Sequence, residues 1–409
     1  MKNILIKNFK NLNNYGSGMM GLITIKQIHE LLNGQVRFYS DFDEHAEMKQ
    51  ILNELNGNIE VNVYKPPVIE NKSPINSISK RISTLKYILS NKGADDFDMV
   101  IVLGGDDLSE YYGKHVWPVF LSLYSWSFKT KIILFGQSIG PFKFWLNKFS
   151  FKKLANRCKI FTRDEYCFNY LKDELGITKN VTLSGDIAFL NLPLETDKAY
   201  EQEILTRYNL KPNGYISIVI SGLLGKYYTE SKSDYFNSYK QLIERLKALP
   251  EVSGKKICFL SHTFPPHGDE AGLLAEFESY LGSDTENLVF IKDKVYQAGA
   301  RFILGNGLMT ITGRMHASVS TFEMIKPSIS LAYSVKYYGV IGDNLKRNDL
   351  IIDANTPALW SNGEIVTLII EKVKYLIDNY NTIIPEIDTA VNTQKKLVNS
   401  AFNSLTNNL

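Results

Sequence analysis

"ITGRMHASVSTFEMIKPSISLAYSVKYYG", residues Ile311–Gly339, is the stretch whose reading decides the fold. A short apolar strand, Leu308–Thr312, stops at Gly313, a helix-length segment follows, and a second apolar strand, Pro327–Tyr333, ends shortly before Lys336. Two β-rich runs, apolar throughout and joined by a helix, form a βαβ unit whose strands are parallel and buried on both faces. Arg314 and His316 stand where the helix begins, and Lys336 stands beyond the next strand. Arg offers a planar fork that binds a carboxylate or phosphate through two hydrogen bonds, and His exchanges a proton near neutrality. The same residues also fit a His capping the helix and an Arg tethering two domains.

Outward from this unit the alternation continues in both directions. In the first half, strands are expected at Asn3–Ile6, Val36–Ser40, Ile59–Tyr64, Asp98–Leu103, Lys131–Phe135, Lys159–Thr162 and Val181–Ser184, with helices such as Asp43–Leu55 and Ser77–Leu89 between them. The polar segment Asn191–Asn213, with two prolines, reads as a connector carrying a short helix. Strands then resume at Tyr215–Ile220, Lys256–Leu260, Leu288–Ile291, Leu308–Thr312, Ser328–Tyr333 and Leu350–Asp353, followed by helices at Gly363–Asn379 and Ile387–Leu405. The expected fold class is α/β, two Rossmann-like domains facing a cleft: residues 1–195, residues 196–380, and a C-terminal helix, 381–409, packing back on them. In such sheets ligands bind beyond the carboxyl ends of the strands.

At 409 residues the chain suits two domains, and 44% hydrophobic with 22% charged residues is a globular composition. A net charge of +3 gives a nucleic-acid role no support, although local Lys and Arg clusters remain able to meet a small anion or an anionic lipid surface. Cys158, Cys167 and Cys258 are odd in number and lack a CxxC spacing, which argues against a disulfide framework or zinc site and for a reducing compartment. The start "MKNILIKNF" reads as a strand rather than a signal peptide, and no run reaches the ~20 apolar residues of a membrane span. The expectation is a cytoplasmic protein able to touch the inner face of the membrane.

The strand ends hold the chemistry. "LGGDDLS" places Gly104, Gly105, Asp106 and Asp107 after the fourth strand, and "GQSIGPF" places Gly136, Gln137, Ser138 and Gly140 after the fifth. Arg163 and Asp164 end the sixth, and Gly185 and Asp186 the seventh. Near the start, Gly16, Ser17 and Gly18 precede a helix and can aim backbone N–H groups at an anion. Each also serves as ordinary turn, cap or ion-pair chemistry. The loop "LSHTFPPHGDE" supplies His262, His267, Asp269 and Glu270, without HxH or HExxH spacing, so it reads as a substrate-shaping loop rather than a metal site. Tyr227, Tyr228, Tyr235 and Phe236 suit either stacking on a sugar ring or covering the domain edge.

Together these motifs resemble the polysaccharide pyruvyl transferase family. The Gly-Arg-x-His segment followed by Lys336 carries most of the likeness, and "GQSIGPF", "TRDE" and "SGDIAF" match weaker blocks in order and spacing. "GGDD" stands where the family usually has a run of glycines, and "NNYGSG" lacks an acid often found after Tyr-Gly. The resemblance implies a GT-B-like fold. It also implies transfer of the enolpyruvyl unit of phosphoenolpyruvate onto two hydroxyls of a cell-surface polysaccharide or its precursor, forming a cyclic ketal and releasing phosphate. It implies further that Arg163, Arg314, His316 and Lys336 hold the donor.

Adding a hydroxyl to the enol ether requires protonation of the methylene carbon, for which His316 is the candidate acid. Asp106 or Asp186 is the candidate base. Tyr15, Gly16, Asp106, Asp107 and Gln137 are expected on the acceptor side. No metal or cofactor is expected, and the expected partners are phosphoenolpyruvate and a saccharide, free or lipid-linked. Two rivals stand beside this reading: a GT-B glycosyltransferase using a nucleotide sugar, against which the lack of a Glu-rich ribose-binding segment after the "GRMH" helix counts although Glu323 leaves it some room, and a non-catalytic sugar-binding relative.

Overall fold

The structure is a computed structural model and describes residues 1–42, 45–65, 92–110, 113–266 and 268–406. The expected helix Ser77–Leu89, the first two residues of Asp43–Leu55, and His267 lie outside the described residues. The chain forms two compact units. One comprises Met1–Asn11, Met20–Ile187 and Leu397–Leu409; the other comprises Leu12–Met19 and Ala188–Lys396. The boundary placed at 195 from the sequence falls at 187, and eight residues from near the start of the chain belong to the second unit.

The first unit holds a seven-stranded sheet in the order β3-β2-β1-β4-β5-β6-β7, parallel at every pairing. Its strands are β1 (Lys2–Lys7), β2 (Val36–Ser40), β3 (Val61–Val63), β4 (Met99–Leu103), β5 (Lys131–Gln137), β6 (Cys158–Thr162) and β7 (Val181–Leu183). The central β4, "MVIVL", is buried at every position, as an unbroken apolar strand between two layers of helix must be. Helices α1 (Tyr15–Leu31), α2 (His45–Glu54), α3 (Trp117–Trp126), α4 (Trp145–Ala155) and α5 (Glu165–Asn169) connect these strands. Phe120, Leu123, Phe151 and Leu154 of α3 and α4 join Val100, Val102 and Leu134 of the sheet in one apolar core. The end of the last helix closes the same unit through Phe402, whose ring stands edge-on to Phe135 at 4.6 Å.

The second unit holds six parallel strands in the order β10-β9-β8-β11-β12-β13. These are β8 (Tyr215–Val219), β9 (Lys256–Leu260), β10 (Leu288–Ile291), β11 (Thr310–Thr312), β12 (Ser328–Ala332) and β13 (Ile351–Asp353). Around them lie α6 (Lys198–Arg207), α7 (Lys232–Lys247), α8 (Glu270–Leu281), α9 (Gln297–Asn306), α10 (Met315–Glu323), α11 (Pro357–Ser361), α12 (Glu364–Asp378) and α13 (Tyr380–Thr406). Counted within the unit, the strand order is 3-2-1-4-5-6, the doubly wound arrangement. Strand order reverses between β8 and β11, so the ligand-binding position of this topology lies at Ser221–Gly222 and Gly313–Arg314. In the first unit the equivalent reversal lies between β1 and β4, at Asn8 and Gly104–Asp106.

Candidate functional site

The strand ends of the second unit converge on Arg314. It is the N-cap of α10, and Thr312 Oγ1 accepts its backbone N–H at 2.8 Å. Its guanidinium donates through Nε to Glu270 Oε1 at 2.6 Å and through Nη2 to Thr263 Oγ1 at 3.2 Å. Glu270 opens α8 and is fully buried, and its carboxylate also accepts the backbone N–H groups of Gly222, His262 and Thr263. Held by these donors, the carboxylate fixes the Arg314 fork in one orientation. Burial opposes the charge on Arg314, but Glu270, with Tyr333 and Tyr337 beside it, raises its pKa further above an already high value. Nη1 has no hydrogen-bond partner among the described residues. The ion pair lies wholly within the second unit, so the tethering role open in the sequence gives way to an internal pair.

His316 follows on the first turn of α10, with Gly16 packed directly against it. A Cβ at Gly16 would lie 2.2 Å from His316 Nδ1. Gly16 has no need of a positive φ; what it supplies is space. Expected on the acceptor side of the first domain, Tyr15 and Gly16 belong instead to the second unit. Tyr15 is fully buried, its hydroxyl accepts the Val295 N–H at 3.0 Å, and its ring stands edge-on to His262 at 5.3 Å. Two of the three amides expected to face an anion are bonded within the protein, Gly16 N–H to Asn14 Oδ1 and Gly18 N–H to the Asn14 carbonyl, and the neighbouring Tyr15 N–H donates to the His262 carbonyl.

His262 is the buried polar group of this site, 1% exposed, and neither ring nitrogen has a hydrogen-bond partner among the described residues. Burial, then the positive fields of Arg314 and His316, hold its pKa well below the ordinary histidine range, so the ring is neutral. Lys336 completes the group. Its ammonium donates to the Tyr333 hydroxyl at 2.8 Å and lies over that ring at 4.7 Å. Tyr227 stacks on the same ring at 4.5 Å. Tyr228, Tyr235 and Phe236 are buried, so of the two readings of this aromatic segment these three take the covering role. Tyr337 and Tyr228 both donate to the Gly313 carbonyl, pinning the strand end that carries Arg314.

In the first unit, Arg163 and Asp186 form an ion pair at 3.2 Å with 1% and 0% of their side chains exposed. Arg163 Nε also donates to Ser138 Oγ at 2.7 Å, which in turn donates to Asp164 Oδ2 at 3.1 Å. Burial opposes the Arg163 charge while Asp186, Asp106 and Asp164 raise its pKa. This corrects two expectations: Arg163 spends its fork on Asp186 and Ser138 rather than presenting it to a donor, and Asp186 is enclosed rather than placed to take a proton.

Gln137 is likewise fully buried, and its amide donates to the Val102 and Leu103 carbonyls at 3.0 and 2.6 Å, tying the end of β4. The glycines there are steric: a Cβ at Gly104 would lie 1.8 Å from the Gly136 carbonyl oxygen, and Gly136 itself has φ +68°. Asp106 is partly exposed and Asp107 exposed, which leaves these two as the accessible carboxylates of this strand end. The sequence reading missed Asp41, at the end of β2. It accepts the Asn8 N–H at 3.3 Å, and burial raises its pKa. Its signal was the polar residue ending "VRFYSD".

Among the described residues no group of three or more His, Cys, Asp or Glu side chains could hold a metal ion, and no helix is long and apolar enough to cross a membrane. All three cysteines are buried and unpaired.

The fold and these strand ends define a GT-B-like protein with two Rossmann-like units. Solved structures share that architecture at low identity. UDP-GlcNAc 2-epimerase from Methanocaldococcus jannaschii is 15% identical over 91% of this chain and 92% of its own, with a TM-score of 0.56. The Neisseria meningitidis UDP-GlcNAc 2-epimerase bound to UDP-GlcNAc is 13% identical over 95% and 94%, with a TM-score of 0.59. Anabaena HepE in complex with UDP is 12% identical over the whole of both chains, with a TM-score of 0.56. At such identity the likeness concerns the fold alone. No curated protein sequence matches the chain significantly. The family model for polysaccharide pyruvyl transferase, however, matches residues 46–335, well over half of the chain. The chain belongs to the polysaccharide pyruvyl transferase family.

Proposed function

We propose that this protein transfers the enolpyruvyl unit of phosphoenolpyruvate onto two hydroxyls of one saccharide residue, closing a cyclic ketal and releasing phosphate. The observation that carries the reading is the grouping of Arg314, His316 and Lys336 at the strand ends of one unit, in a chain of this family. Phosphoenolpyruvate bears a carboxylate and a phosphate on three carbons and needs cations from more than one direction. Arg314 Nη1 and Lys336 supply them, while Glu270 holds the guanidinium in place.

The atoms balance in two additions. His316 gives a proton to the methylene carbon as the first hydroxyl oxygen bonds to the adjacent carbon, and that hydroxyl's proton restores the lost one. The second hydroxyl oxygen then bonds to the same carbon as the C–O bond to phosphate breaks, and its proton leaves with phosphate. Asp186 is committed to Arg163, which withdraws it as a base. His262, held neutral, is a poor substitute for the acid.

The nucleotide-sugar reading finds less support, because the one acid that left it room is enclosed by cations of this chain. Glu323 is buried and bonded to Lys395 at 2.6 Å, with Arg301 at 3.5 Å. The test is His316→Gln, which keeps a hydrogen-bond donor but supplies no proton. It should keep most of the phosphoenolpyruvate affinity in calorimetry and lose about 10²–10⁴-fold in phosphate release. Turnover near the parental rate would remove His316 as the acid.

A further inference from the structure

Helix α4, Trp145–Ala155, buries Asn147, Ser150, Phe151 and Leu154 against its own unit and leaves the opposite face to solvent. That face carries Trp145 and Phe149, 64% and 53% exposed, one helical turn apart. Beside this aromatic row runs a second row of Lys148 and Lys152, also exposed and four residues apart. Lys153 continues the aromatic row, its ammonium 5.5 Å from the Phe149 ring centroid. Between Glu110 and Asp164 the sequence has no acidic residue, while Lys and Arg together number ten, in a chain whose net charge is only +3. Glu110, the acid nearest the start of α4, accepts the N–H groups of Lys143 and Phe144 and the amide of Asn147, and so serves as a helix cap.

We infer that this face of α4 docks the protein on an anionic lipid bilayer, with Trp145 and Phe149 entering the headgroup region and the lysines meeting lipid phosphates. Large aromatic side chains are costly to leave in water and suit the boundary between headgroups and acyl chains. Lysine ammonium groups at helical spacing attract a diffuse anionic surface, whereas recognition of a single phosphate favours the bidentate Arg fork. Lys is also depleted at protein–protein interfaces, which disfavours a folded protein as the occupant. A second copy would bring like charges together. The inference is independent of the donor chemistry, and it gives a lipid-linked saccharide a physical route to the enzyme.

The test is co-sedimentation of the full chain with phosphatidylcholine vesicles, with and without phosphatidylglycerol, together with tryptophan emission. The parental protein should bind only the anionic vesicles, more weakly as salt rises, with a blue shift that Trp145→Ser removes. Each lysine near such a surface contributes about fivefold in partitioning, so Lys148→Gln with Lys152→Gln should lower it roughly 25-fold. Both changes lie on the solvent face and should leave the circular dichroism unaltered. Equal partitioning of parental and Trp145→Ser/Phe149→Ser proteins would overturn the inference. So would binding to a single-stranded oligonucleotide, or α4-dependent dimerisation, without vesicle binding.

Discussion

Replacing Gly16 by alanine puts one carbon where the structure already holds an imidazole. The new Cβ would lie 2.2 Å from Nδ1, 2.5 Å from Cγ and 2.9 Å from Cβ of His316. Carbon contacts become comfortable at about 3.5 Å, so one of the two groups must retreat by roughly an ångström. The glycine is poorly able to do so, because Tyr15 and Gly16 are tied to the His262 carbonyl and the Asn14 side chain. The histidine therefore moves. A displacement of about 1 Å at a catalytic group costs about 10²-fold in rate, and overpacking costs about 1–3 kcal/mol in stability. Phosphate release from phosphoenolpyruvate should accordingly fall about 100-fold in Gly16→Ala, while calorimetry shows a much smaller change in donor affinity. Parental turnover in a folded Gly16→Ala protein would refute the account, since the contact leaves no room for an undisturbed His316.

Three further outcomes follow from the ion pairs. Arg314→Lys, with a single point charge in place of the fork, should not restore donor binding lost in Arg314→Ala, because one ammonium cannot satisfy both Glu270 and a phosphate; calorimetry decides it. Asp186→Asn removes the carboxylate buried against Arg163 and should cost the first unit about 3–5 kcal/mol in chemical denaturation. Burial, opposed by Arg301 and reinforced by Glu195, raises the Glu323 carboxyl to about 7. The folded state thus holds a proton that the unfolded chain releases at lower pH. Stability should fall as pH rises from the ordinary glutamate range to about 7, and a denaturation series on Glu323→Gln should lose that slope.

Strand positions were legible because buried parallel strands are apolar at every residue. "MVIVL" and "YISIV" need no tertiary information, and every strand expected from the sequence lies within two residues of its observed ends. Side-chain partnerships were less legible. Nothing near Arg314 in the chain announces Glu270, 44 residues earlier, because the pairing depends on β9 and β11 lying on either side of β8. Arg163 stands beside Asp164 in the chain, yet its fork closes on Asp186 just past the end of β7. Tyr15 and Gly16 were misplaced for a related reason: a segment near the start of the chain packs with residues some 250–300 positions later, and no local pattern encodes that. Helix α4 is the inverse case, since its lysines were visible but only packing shows which face they share with Trp145.

The most direct measurement is incubation of the protein with phosphoenolpyruvate and a panel of saccharides, following inorganic phosphate and the methyl resonance of the product together. Pyruvyl transfer predicts phosphate release that depends on the acceptor, with the pyruvyl carbon recovered as a ketal methyl on the sugar and no nucleotide required. Release of a nucleotide from a nucleotide sugar, with phosphoenolpyruvate left intact across a panel that includes an effective acceptor, would contradict it.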